Sequence, residues 1–99
     1  MKYVTINNNT ANIKMKGKPL SPDEYLVIMD EYRDALANGI TEVNLDFSET
    51  EDINSMGIGF VADIMKDAKI RKMKAFGANK MVYAQFRHIK QFKNIFDEE

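Results

Sequence analysis

Ninety-nine residues suffice for one hydrophobic core and no more, so a single domain over residues 1–99 is expected. With 44% hydrophobic and 29% charged residues, the chain is neither disordered nor fibrous, and the absence of cysteine excludes both a disulfide framework and a thiolate metal site. No apolar run nears the roughly 20 residues of a membrane helix, and MKYVTINNNT lacks the apolar stretch of a signal peptide; both point to the cytoplasm.

The net charge of −1 is unevenly spread. Residues 1–65 carry five basic and eleven acidic side chains, residues 66–96 carry nine and one, and Asp97-Glu98-Glu99 ends the sequence on three acids. Such asymmetry is one footprint of nucleic-acid binding, here through Lys69, Arg71, Lys72, Lys74, Arg87 and Lys90. These residues fall on a helix, a strand and a second helix without an RNA-binding motif. A solvated surface is the better reading, and nucleic acid is disfavoured as a partner.

Val4 and Ile6, then Ala11, Ile13 and Met15, alternate with polar residues and predict strands over Lys2–Ile6 and Thr10–Lys16. Asn7-Asn8-Asn9 joins them into an antiparallel hairpin, because asparagine tolerates positive φ. Lys14, Lys16 and Lys18 then line a solvent side. After Gly17-Lys18-Pro19-Leu20 a helix begins with several independent signals: Ser21 as cap, Pro22 in the first turn and Glu24 closing a capping box. It should run from Pro22 to Ala37 or Asn38, stop at Gly39, and bury Tyr25, Ile28, Met29, Tyr32, Ala35 and Leu36.

Val43, Leu45 and Phe47 predict a third strand over Thr41–Phe47. A second helix follows from Ser55 to about Ile70, with Ile58, Val61, Met65 and Ala68 on its buried face, Ile64 at the edge, and Met56 and Phe60 off that stripe. Lys72–Phe76 reads as a fourth strand and Lys80 to about Lys90 as a third helix burying Val82, Phe86 and Ile89. Phe92–Phe96 is a candidate last strand. Strands alternating with helices predict an α/β domain whose four- to five-stranded, mostly parallel sheet is entered through the hairpin, with helices mainly on one face.

The chemistry-bearing stretch is Val43–Gly59, VNLDFSETEDINSMGIG, in which a strand passes through an acidic loop into a helix. A helix N-terminus carries unsatisfied amides and partial positive charge, so the Ser55 hydroxyl is placed where a phosphate is welcome. The competing reading is that Asn54-Ser55 only caps the helix.

Asp46-Phe47-Ser48 followed by Ile53-Asn54-Ser55-Met56-Gly57-Ile58-Gly59 resembles the STAS domain of bacterial anti-sigma factor antagonists, and the hairpin, Gly17, Leu20 and element order extend the resemblance over nearly the whole chain. It implies a partner-switching regulator whose serine, here Ser55, is phosphorylated by an anti-sigma factor with serine-kinase activity and released by a phosphatase. The docking surface so implied comprises Asp46, Ser48, Glu49, Glu51, Asp52, Asn54, Met56, Gly57, Phe60 and Asp63, with Met56 and Phe60 as its apolar contacts. Asn54 stands where that family has aspartate, Met56 where it has a small residue, and its terminal helix has no counterpart before Glu99. A constitutive adaptor in a transport or sensory assembly is the alternative on the same fold.

Enzyme chemistry is the least supported class, and no cofactor is expected. Residues 52–63 partly imitate a calcium loop, but Met56 occupies a ligand position. Gly57-Ile58-Gly59 lacks the third glycine of a dinucleotide fingerprint, and both glycines are read as allowing close approach. His88 is the lone histidine, without an orienting acid or a second metal ligand.

Overall fold

The structure, a computed structural model, describes residues 1–17, 19–92 and 94–96. Its elements are β1 (Val4–Asn7), β2 (Thr10–Lys14), α1 (Pro22–Ala37), β3 (Glu42–Asp46), α2 (Ser55–Met65), β4 (Lys72–Phe76), α3 (Lys80–Arg87) and a 3-10 turn at Lys90–Phe92. The four strands lie in the order β1-β2-β3-β4; the first pair is antiparallel and the others parallel. Asn8 turns the hairpin at φ +59°, the conformation its short polar side chain tolerates.

Register decides which half of each strand is buried. Ala11, Val43 and Met73 align across the sheet, as do Val4, Ile13, Leu45 and Ala75, and this face lies against the helices. Thr5, Asn12, Asn44 and Lys74 align on the opposite face, which no element among the described residues covers. The alternation in sequence is thus a one-sided sheet, as expected.

Several boundaries differ from expectation for local reasons. β1 begins at Val4 because the amides of Lys2, Tyr3 and Val4 donate to the Glu31 carboxylate of α1, at 2.9, 2.8 and 3.0 Å. α2 ends at Met65, five residues early. Asp67 accepts the Lys69 amide at 3.0 Å, a side-chain turn that competes with continued helix. α3 ends at Arg87, capped by His88, and the anticipated last strand reduces to one parallel bridge between Ala75 and Phe96, so the sheet has four strands. Lys18 and the acidic Asp97-Glu98-Glu99 lie outside the described residues, as does Lys93 within that anticipated strand.

The buried stripe of α2 also differs. Gly57, Phe60, Val61 and Ile64 face the core, Ile58 and Met65 are half-buried, and Ala68 is exposed. Ser55–Met65 is apolar almost all round, so two stripes of helical period coexist in it. The one containing the largest side chain prevails: Phe60 packs edge-to-face on Tyr32 of α1, with centroids 6.0 Å apart. Tyr32 in turn donates to Asp67 at 3.0 Å, and burial together with that carboxylate pushes its phenol well above its ordinary pKa. α3 is held by a second aromatic group, Phe86 against Phe47, Phe92 and Phe96 at 5.6, 5.0 and 5.1 Å.

Candidate functional site

At the carboxyl ends of the parallel strands, three loops meet around the segment from Ser48 to Asn54. Asp46 closes the strand by accepting the Ser48 amide at 2.8 Å. Its half-burial opposes ionisation, but the Ser48 hydrogen bonding and the Lys14 ammonium outweigh it and hold its pKa below the usual carboxylate value. Lys14 reaches Glu49 at 2.9 Å and Asp46 at 4.0 Å, so Glu49 is drawn back toward β2 and its pKa is lowered by that contact. Glu51 is exposed and Asp52 half-exposed.

The loop is tied at several points. The Gly17 amide donates to Glu49 O and the Glu51 amide to Gly17 O, both at 2.7 Å. Thr50, the one buried polar residue among those described, donates its hydroxyl to Met15 O. Gly77 holds φ +77° with its missing Cβ 3.0 Å from the Ser48 amide nitrogen, so a side chain there would meet both backbone strain and a fixed neighbour.

Asn54 caps α2: its Oδ1 accepts the Gly57 amide at 3.0 Å while its Nδ2 donates to Leu20 O at 2.9 Å. The second bond requires an amide, since a carboxylate has no hydrogen to give. That is a physical reason for asparagine at this position. Asn79 does the same for α3, accepting from Val82 at 2.8 Å and donating toward Thr50 O and Glu51 O, both at 3.2 Å. Two helix caps therefore fasten three loops together. Asparagine and serine both suit a helix cap, so the sequence marks the Asn54-Ser55 pair and the geometry assigns the first role to Asn54; the second has no signature in the sequence.

Ser55 is accordingly not the cap. It occupies the first helical position, exposed, and among the described residues its hydroxyl has no hydrogen-bond partner. Met56 is 36% exposed and Asp63 is exposed, the latter within 3.4 Å of the Tyr25 hydroxyl. Phe60 corrects the expected contact patch: it is fully buried and belongs to the core. Gly57 is buried too, because a Cβ there would stand 2.6 Å from Ile53 Cγ1. Gly59 has open space around it, so close approach explains only the first glycine. The basic residues singled out above divide: Lys72 and Lys74 lie on the open sheet face, Arg87 and Lys90 on the α3 side. His88 is the exposed C-cap of α3.

No family model and no curated protein sequence matches the chain. Among solved structures it superposes on the anti-sigma factor antagonist SpoIIAA in its unphosphorylated form with a TM-score of 0.82, at 17% identity, over 97% of this chain and 85% of that one. The chain shares the fold of that antagonist. Among the described residues, no helix is long and apolar enough to cross a membrane.

Proposed function

We propose that the chain is a partner-switching regulator of the anti-sigma factor antagonist type, which binds an anti-sigma factor with serine-kinase activity while Ser55 is unmodified and is released when Ser55 is phosphorylated. The observation that carries this reading is the exposed Ser55 hydroxyl at the first position of α2, spared from capping by Asn54. Its likeness in fold to an anti-sigma factor antagonist supplies the partner class.

A phosphate on Ser55 adds about −1.5 to −2 charge where a helix N-terminus tolerates it, so the domain stays folded. The same charge enlarges a surface already carrying Glu51 and Asp52 and opposes docking of any partner that matches the unmodified face. Met56 contributes exposed apolar area, and Ser48, Glu49 and Asp63 extend the polar rim; Asp46, Asn54 and Gly57 act beneath it by fixing the loop. A serine phosphatase restores the binding state.

The test is to incubate the purified chain with its kinase and ATP, locate the phosphate by mass spectrometry, and measure partner capture by the Ser55→Asp variant. Phosphate on Ser55 and loss of capture with a native circular dichroism spectrum are expected. Undiminished capture by a folded Ser55→Asp protein would sink the mechanism.

A further inference from the structure

The uncovered face of the sheet gathers residues that are remote in sequence. Lys14 and Lys16 from the hairpin arm, Lys72 and Lys74 from β4, and Lys2 ahead of β1 border it, opposed by Glu42 and Asp46. Glu42 is in register with Lys72, and Lys14 is engaged by Glu49. Lys2, Lys16 and Lys74 make no ion pair among the described residues. Across the middle of the face, the Asn44 amide donates to Asn12 Oδ1 at 3.0 Å, leaving further donor and acceptor capacity on both amides. At the end of β4, Phe76 is 41% exposed and borders a depression of about 360 Å³ that Lys2, Tyr3, Lys14, Lys16 and Asp46 also line.

A half-exposed aromatic ring on a four-stranded sheet, with the Asp46 carboxylate in register beside it, the asparagine pair two residues along the strands and lysines around both, is a stacking platform inside a mostly positive rim. We infer that this face binds single-stranded nucleic acid, with a base on Phe76 and backbone phosphates along Lys2, Lys16, Lys72 and Lys74. An exposed ring favours a base over an acidic peptide, which gains from the lysines but has no use for the aromatic plane. Four strands about 4.8 Å apart offer room for roughly two or three nucleotides, as other open sheets do. The inference is independent of Ser55, which lies at the end of the sheet and on its helix-covered side. It also differs from the basic stretch suggested by charge asymmetry, because two of its four lysines, Lys2 and Lys16, come from the acidic segment 1–65.

Fluorescence anisotropy of a labelled 20-nucleotide oligouridylate with the full chain tests it. Neutralising three to four phosphates predicts binding that weakens about 20- to 50-fold between 50 and 200 mM salt. Phe76→Ala should weaken it at least about fivefold, Lys72→Gln and Lys74→Gln should each lower the salt slope by about one or less, and Arg87→Gln on α3 should change nothing. No binding at 50 mM salt overturns the inference. So does binding that polyglutamate displaces as readily as RNA and that Phe76→Ala leaves intact, the mark of an acidic-polymer surface.

Discussion

The N-termini of α2 and α3 are built alike and end differently. Each opens on an asparagine in extended conformation whose Oδ1 takes the third amide of its helix and whose Nδ2 holds a carbonyl of another loop. Each helix is pinned farther along by a buried phenylalanine, Phe60 or Phe86. At the first helical position, however, one presents a hydroxyl and the other the Lys80 ammonium, which the helix dipole disfavours. When cap and core already fix a helix, the residue between them is free of structural duty. Chemistry can be placed there without disturbing the fold.

The largest effects should come from the anchors. Phe60→Ala and Phe86→Ala are each expected to cost about 3–5 kcal/mol by urea denaturation, whereas Met56→Ala, one turn before Phe60, should stay within about 0.5 kcal/mol. A small loss at Phe60 would return it to the surface and break the likeness between the two helices. Next come the caps: Asn54→Ala and Asn79→Ala should each cost about 1.5–2.5 kcal/mol, the sum of a lost cap and a lost bridge. Asn54→Asp separates the two roles, keeping the cap while setting a carboxylate against Leu20 O, and should lose about 1 kcal/mol.

Glu31 sharpens the comparison because it caps the start of a strand instead of a helix. Burial opposes its ionisation, but the three backbone amides and the chain's N-terminal ammonium prevail and lower its pKa. A carboxyl whose folded pKa lies below its unfolded value of about 4.3 stabilises fully above that value and loses the contribution as pH falls through the folded pKa. Stability measured from pH 6 to 3 should therefore decline. Glu31→Gln should flatten the decline and cost about 1 kcal/mol at pH 6, while Asn54→Ala and Asn79→Ala leave its shape unchanged. Smallest are the exchanges at the first helical position, where Ser55→Asp and Lys80→Glu should each stabilise by about 0.3–1 kcal/mol, an effect that salt reduces.

The elements are legible in the sequence wherever a local rule governs: the capping box at Ser21 and Glu24, the stop at Gly39, and the alternation of Val43, Leu45 and Phe47. Ser55 stands out in the sequence as a hydroxyl at a helix start, but its surroundings are not legible there. Asn54 and Ser55 are adjacent, and only the geometry tells which one caps; Phe60 falls off the apolar stripe that the sequence suggests and is buried all the same, because α2 is apolar on more than one side.

What the chain determines by itself are its periods, its caps and its turns, since these depend on residues within four positions of one another. Tertiary structure alone decided that Phe60 turns inward onto Tyr32, that Asn79 fastens the loop at Thr50 from 29 residues away, and that Lys14 and Lys74 share one face. Those outcomes rest on strand order and register, which bring distant segments within hydrogen-bonding and packing range and leave no trace in local spacing.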